Sequence, residues 1–161
     1  MRAEETVAAM LKARGWHIAF AESCTGGLAV ARLVGVAGVS DVLAESYVTY
    51  APESKVALLG VRRETIDIYG VVSEETAAEM AAGAAKRAHA EIGVGITGLA
   101  GPGGGTDALP VGTVCFGFFV NGTCHTATVR FAHAGRNAVR RRATVFALRR
   151  LAGLLCENIT Q

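Results

Sequence analysis

GITGLAGPGGGTDALPVGTV, residues 95–114, is the stretch around which the rest of this chain is arranged. β-like residues lead into it (Ile92, Val94, Ile96), glycines crowd its middle at 98, 101, 103, 104 and 105, and β-like residues resume at Val111. Glycine lets a backbone pass through positive φ and lets a ligand come close. A run this dense between two strand signals costs conformational entropy that a short turn avoids. The expectation is a loop at a sheet end whose bare N–H groups, with the hydroxyls of Thr97 and Thr106, hold an anionic or polar small molecule. The alternative, a surface loop without a ligand, leaves Thr97, Pro102 and Thr106 without a purpose.

Upstream, residues 3–14 carry Val7, Met10 and Leu11 at helical spacing, with Glu4 and Glu5 in the first turn and Gly15 as the stop. A short strand is predicted over Trp16–Phe20, followed at once by Ala21-Glu22-Ser23-Cys24-Thr25-Gly26-Gly27 and a helix from Leu28. Ser23 or Thr25 at such a junction is first of all a helix N-cap. The same junction exposes its turn at the C-terminal edge of a sheet, where α/β proteins put their ligands, and offers free N–H groups to an anion. Val42–Tyr50 is the next predicted strand, and Ala51-Pro52 opens a short helix that contains Lys55 and ends near Gly60. Thr65–Tyr69 reads as a short helix, and Ser73 caps a long alanine-rich one whose Gly83 implies close packing.

After the strand of residues 91–97 and the glycine loop, Asn121-Gly122 predicts a two-residue hairpin turn joining strands 111–120 and 123–131. It sets Val120 opposite Thr123, Phe119 opposite Cys124 and Cys115 opposite Thr128. A helix from Arg136 to about Cys156 closes the chain, with Val139, Ala143, Phe146, Ala147, Leu151, Leu154 and Leu155 as its apolar face. These elements predict an α/β fold: one domain over residues 1–161, a three-layer α/β/α sandwich with a mixed β-sheet.

With 161 residues, 51% of them hydrophobic, there is enough apolar surface for a single core, and a net charge of +2 points to neither nucleic acid nor membrane. The apolar runs fall short of a bilayer span, and the charged N-terminus has no signal-like apolar region, so a cytoplasmic protein is expected. Cys24, Cys115, Cys124 and Cys156 show neither CxxC nor zinc spacing, and Cys115 and Cys124 fall too far apart along the hairpin to bridge. Reduced thiols follow, and the Asn-x-Ser/Thr matches at Asn121 and Asn158 are read as chance. His17, His89, His125 and His133 have no metal spacing, so no metal is expected.

Gly93-Val94-Gly95-Ile96-Thr97-Gly98 spells G-x-G-x-x-G. No helix begins at its third glycine and no acid follows at the required distance, so it is not read as a dinucleotide fingerprint. For nucleophilic chemistry there remains a serine with lysine or tyrosine as its base. Ser23 lies at one strand end, and Tyr50 and Lys55 follow the next, at the same edge if the two strands are parallel. Lys55 has to lose its proton near neutrality, from an ordinary pKa of about 10.4, through burial or a nearby positive group. Its alternative is a plain surface lysine. Cys24 is a rival nucleophile, or else a buried structural thiol. On the last helix Arg136 and Arg140 share a face one turn apart, suited to gripping a phosphate; Arg141, Arg142, Arg149 and Arg150 extend the basic character.

Taken together, AESCTGG at 21–27, YVTYAPESK at 47–55, GVVSEETAAEMAAGA at 70–84 and GITGLAGPGGGT…PVGTV at 95–114 resemble the CinA C-terminal domain family. The resemblance covers about residues 5–155 and implies hydrolysis of the carboxamide of nicotinamide mononucleotide to nicotinic acid mononucleotide and ammonia, with no cofactor. It implies Ser23 as nucleophile, Lys55 as base and Tyr50 as a supporting hydrogen-bonding group. The substrate, a pyridine mononucleotide, would meet Glu22, Thr25, Gly26 and Gly27 of the first turn and Thr97, Gly98, Ala100, Gly101 and Thr106 of the glycine loop. Arg136 or Arg140 would hold its phosphate. Leu109 stands where the family usually has lysine, which puts one phosphate contact in doubt. Family members are often fused behind a larger N-terminal domain, and this chain looks like the stand-alone form. A homo-oligomer, a dimer first, is expected from the alanine-rich helix. The competing readings are a nucleotide-binding or regulatory module with the same loop and no nucleophile, and DNA binding through the arginine helix.

Overall fold

In the computed structural model, which describes residues 1–132 and 135–157, the chain begins with helix α1, Ala3–Arg14. Strand β1 (Ile18–Glu22), helix α2 (Leu28–Val34), strand β2 (Leu43–Val48) and helices α3 (Pro52–Leu59), α4 (Arg63–Tyr69) and α5 (Glu74–Ala88) follow. Strands β3 (Ile92–Gly98), β4 (Thr113–Val120) and β5 (Thr123–Arg130) then lead to helix α6, Arg136–Glu157. The sheet runs β2-β1-β3-β4-β5, with β1 parallel to both β2 and β3, and β4 and β5 antiparallel beyond them. His133 and Asn158, each named above, lie outside the described residues.

Predicted strand boundaries move by one or two residues, two of them for clear local reasons. Gly15 adopts φ 64° and closes α1, and the Trp16 N–H then donates to the Leu11 carbonyl. Trp16 therefore belongs to the helix end, and the strand starts at Ile18. At its other end β2 stops at Val48, and the Thr49 N–H crosses to the Glu22 carbonyl at 2.9 Å. The hairpin follows the predicted register: Val120 pairs with Thr123, Phe119 with Cys124 and Cys115 with Thr128, and Asn121 and Gly122 both take positive φ.

Alternation along the strands divides the core in two. Ile18, Phe20, Ile92, Val94, Ile96, Phe116 and Phe118 face α1, α2 and α6. Ala19 and Ala21 face Met80 and Ala84 of α5, with Leu59 of α3 and Ile66 of α4. On that second face Gly93, Gly95 and Gly117 lack side chains because α5 lies directly on them: a Cβ at Gly95 would stand 2.3 Å from the Ala77 carbonyl oxygen, and one at Gly93 2.0 Å from that of Ala81. The G-x-G pair thus admits a helix rather than a nucleotide. The buried alanines of α5 are engaged here, against the sheet.

Candidate active site

Both β1 and β3 run toward the same edge, so the segments that leave them lie side by side. Ser23 follows β1 directly, and its N–H donates to the Ile96 carbonyl at 3.0 Å, which ties the serine turn to the strand that feeds the glycine loop. Neither Ser23 nor Thr25 caps α2. Glu22 does so instead, reaching forward from the strand with its side chain fully buried: Oε2 accepts from the N–H groups of Gly27 (3.0 Å) and Ala29 (3.1 Å), and Oε1 from that of Val30 (2.9 Å). A carboxylate is a stronger partner for these orphan donors than a hydroxyl. It also leaves the Ser23 hydroxyl free.

Lys55 enters from the first turns of α3 and is fully buried. Its Nζ lies 3.3 Å from Ser23 Oγ, 2.5 Å from the Thr49 carbonyl oxygen and 3.4 Å from that of Tyr50. Among the described residues no carboxylate pairs with it. Burial therefore pulls its pKa from the usual lysine range down to about 8. The neighbouring Cys24 thiol is pushed the other way, to about 11, by burial and by the charge of Glu22. At neutral pH that thiol holds its proton, and the hydrogen bond of Lys55 Nζ goes to the Ser23 hydroxyl rather than to the thiol.

A cavity of about 300 Å³ opens beside the pair. Ser23, Cys24, Tyr50, Thr97, the 98–101 segment and Arg136 line it, with Val71 and Val72 from the segment before α5 and Gly103 at the rim. Thr97 is buried and acts as a strut, its hydroxyl donating to the Val71 carbonyl at 2.9 Å. Arg136 spans the mouth: Nη1 donates to the Gly101 carbonyl (2.7 Å) and Nη2 to the Tyr50 hydroxyl (2.9 Å). The N–H groups of Thr25, Ala100 and Gly101 donate to no acceptor among the described residues.

The structure thus brings Ser23, Lys55, Tyr50, Thr97, Gly98, Ala100, Gly101 and Arg136 together at one place. Glu22, Thr25, Gly26, Gly27, Thr106 and Arg140 lie off the cavity wall. Glu22 and Gly27 hold the start of α2. Arg140 engages Nε, Nη2 and Nη1 on the Cys24 carbonyl, the Thr25 carbonyl and Asn137 Oδ1, so it braces the serine turn from behind. Thr106 closes a local turn with Leu109, accepting from its N–H at 3.0 Å. Sequence reasoning missed Val71, Val72 and the Thr49 carbonyl. The first two sit inside a quoted motif; the third is a backbone atom with no residue signature.

The sequence profile of the CinA C-terminal domain matches residues 1–155. A CinA-like protein of Kosmotoga olearia is 51% identical over 146 residues, which cover 90% of this chain and 35% of that protein. A putative competence-damage inducible protein of Clostridium acetobutylicum is 50% identical over 139 residues, 86% of this chain and 34% of its own length. The chain therefore spans about a third of the length of these relatives. Among solved structures, a CinA superfamily protein of Klebsiella pneumoniae superposes with a TM-score of 0.91 at 38% identity, covering 96% of both chains. A competence/damage inducible protein of Agrobacterium tumefaciens gives 0.89 at 38% identity, covering 94% of each.

Proposed function

The chain belongs to the CinA C-terminal domain family, and on that premise we propose that its cavity hydrolyses the carboxamide of nicotinamide mononucleotide to nicotinic acid mononucleotide and ammonia. The observation that carries the reading is the surroundings of Lys55 Nζ. Two of its three neighbours are carbonyl oxygens, which can only accept; the third is the Ser23 hydroxyl, which can donate. A neutral amine satisfies all three by giving its two N–H bonds to the carbonyls and turning its lone pair to Ser23. That is the arrangement of a general base beside its nucleophile.

Ser23 Oγ attacks the amide carbon as its proton passes to Lys55 Nζ. The tetrahedral oxyanion takes hydrogen bonds from the unpartnered N–H groups of Ala100 or Gly101, both on the cavity wall; each such donor is worth about 3 kcal/mol. The C–N bond breaks as Lys55 returns the proton to the departing amine, which leaves as ammonia. Water, deprotonated by Lys55 Nζ, then attacks the acyl-serine, and the ester bond breaks as Lys55 returns that proton to Ser23 Oγ and the acid leaves. Arg136 meets the substrate phosphate at the mouth with the N–H bonds it does not give to Gly101 and Tyr50, and Tyr50 steadies it. Leu109 supplies no charge, so the cation on the cavity wall for that phosphate is Arg136.

The experiment is an ammonia-release assay with nicotinamide mononucleotide on the purified chain. Wild type is expected to turn over, and Ser23→Ala and Lys55→Met each to lose at least a thousandfold in kcat while still binding the mononucleotide. Full release of ammonia by Ser23→Ala removes the proposal, and binding without ammonia release by wild type selects a nucleotide-binding module instead.

A further inference from the structure

We propose that the outer face of α6 carries a second ligand site, for a nucleoside di- or triphosphate, separate from the cavity at Ser23. A hollow of about 370 Å³ lies there, lined by Phe131, Arg141, Arg142, Val145, Phe146 and Arg149. Its size falls within the range of small-molecule sites, about 300–1,000 Å³. Its composition is two aromatic rings and a valine under three guanidinium groups.

Those three arginines are exposed, and among the described residues none of them has an ion-pair or hydrogen-bond partner; the neighbouring Arg150 differs, standing 3.5 Å from Glu157. Among the described residues the adjoining hollows add no free carboxylate. Arg141 also borders one with Arg32, and Arg149 borders another whose acid, the buried Glu4, is already held by Arg32 at 3.1 Å and Arg2 at 3.6 Å. Positive charge thus collects on this face without internal compensation, a setting that attracts a polyanion.

Spacing and floor narrow the ligand. Arg141, Val145 and Arg149 fall at intervals of four along one stripe of α6, so Arg141 and Arg149 are about 12 Å apart along the axis. Guanidinium forks reaching inward from those two points suit a chain of phosphates, each gripped bidentately. Phe146 is held firmly, its ring 4.7 Å from that of Phe116 in the core, so its remaining face is a rigid platform for a planar base. Bare anions use the arginines and ignore the floor; a nucleoside polyphosphate uses both.

The test is calorimetric titration of the full chain with ATP and ADP at low salt, with inorganic tripolyphosphate and a short single-stranded oligodeoxynucleotide as comparisons. Saturable one-to-one binding of ATP is expected, unchanged in Ser23→Ala and weakened at least tenfold in the Arg141→Gln/Arg149→Gln double variant. Both substituted residues are exposed, so the double variant is expected to keep the wild-type Tm without ligand while losing the rise in Tm that ATP gives the wild type. Tripolyphosphate binding as tight as ATP overturns the nucleoside part of the assignment. Oligonucleotide affinity that exceeds that of ATP and grows with length overturns it in favour of a nucleic-acid surface. Absence of saturable ATP binding at millimolar concentration leaves an ordinary solvated face and ends the proposal.

Discussion

Lys55 shows what one buried amine does to both chemistry and stability. Its folded pKa of about 8 lies below the unfolded value of about 10.4, so between those values the unfolded chain binds more protons. Stability therefore rises as pH climbs from about 8 to 10.4, and the full penalty is present below 8. The gap is worth about 3 kcal/mol, against which the Thr49 carbonyl would lose a partner worth about 1 kcal/mol. Lys55→Met is accordingly expected to raise the unfolding free energy at pH 7 by roughly 1–2 kcal/mol, and urea titrations at pH 10 should show that gain shrinking. For the proposed reaction the same deprotonation sets the rate: kcat/KM should climb with pH and level off above about 8. A rate flat from pH 6 to 9 would detach Lys55 from the chemistry. At this scale the sequence was informative about side chains. Ser23, Tyr50 and Lys55 could be set at one edge by assuming two parallel strands, and β1 and β2 are parallel. The Thr49 carbonyl that fixes Nζ could not be found, because every residue carries one.

Among the elements, α5 and α2 are placed by opposite means. Helix α5 lies on backbone, through the gaps left at Gly93, Gly95 and Gly117. A methyl at Gly95 meets a carbonyl oxygen at 2.3 Å with no flexible side chain to yield, so helix and sheet must part. Gly95→Ala is expected to cost about 3 kcal/mol, which for a chain of this length lowers Tm by about 6–12 °C, readable in a thermal melt. Helix α2 is placed by one carboxylate. Glu22→Gln turns one acceptor oxygen into a donor facing N–H groups, and is expected to cost about 2 kcal/mol. Because the serine turn lies between Glu22 and α2, the proposed ammonia release should fall by more than the loss of folded protein accounts for, which kinetics on the folded variant would reveal. The helices were legible from periodicity, Gly15, Pro52 and Ser73. The capping of α2 was not, since proximity in sequence pointed to Ser23 and Thr25, while a longer side chain from the strand wins through charge.

For the whole molecule, the mixed sheet between helix layers followed from the order of segments, but the strand order did not. Inserting β3 between β1 and β4 is what sets the glycine loop beside the serine turn, and no local pattern encodes which strands become neighbours. The general rule that α/β proteins bind at the C-terminal strand edge pointed to the candidate site without that detail. Among the described residues no helix is long and apolar enough to cross a membrane. Because β4 is antiparallel to β3, its far end carries the Asn121-Gly122 tip to the pole of the sheet away from the cavity. That tip is exposed and, among the described residues, hydrogen-bonded only to its own strands and to the Glu91 carbonyl. Its geometry makes it a natural graft point: a reporter dye or affinity handle spliced there should ride on the molecule and leave the proposed ammonia release at the rate of the untagged chain.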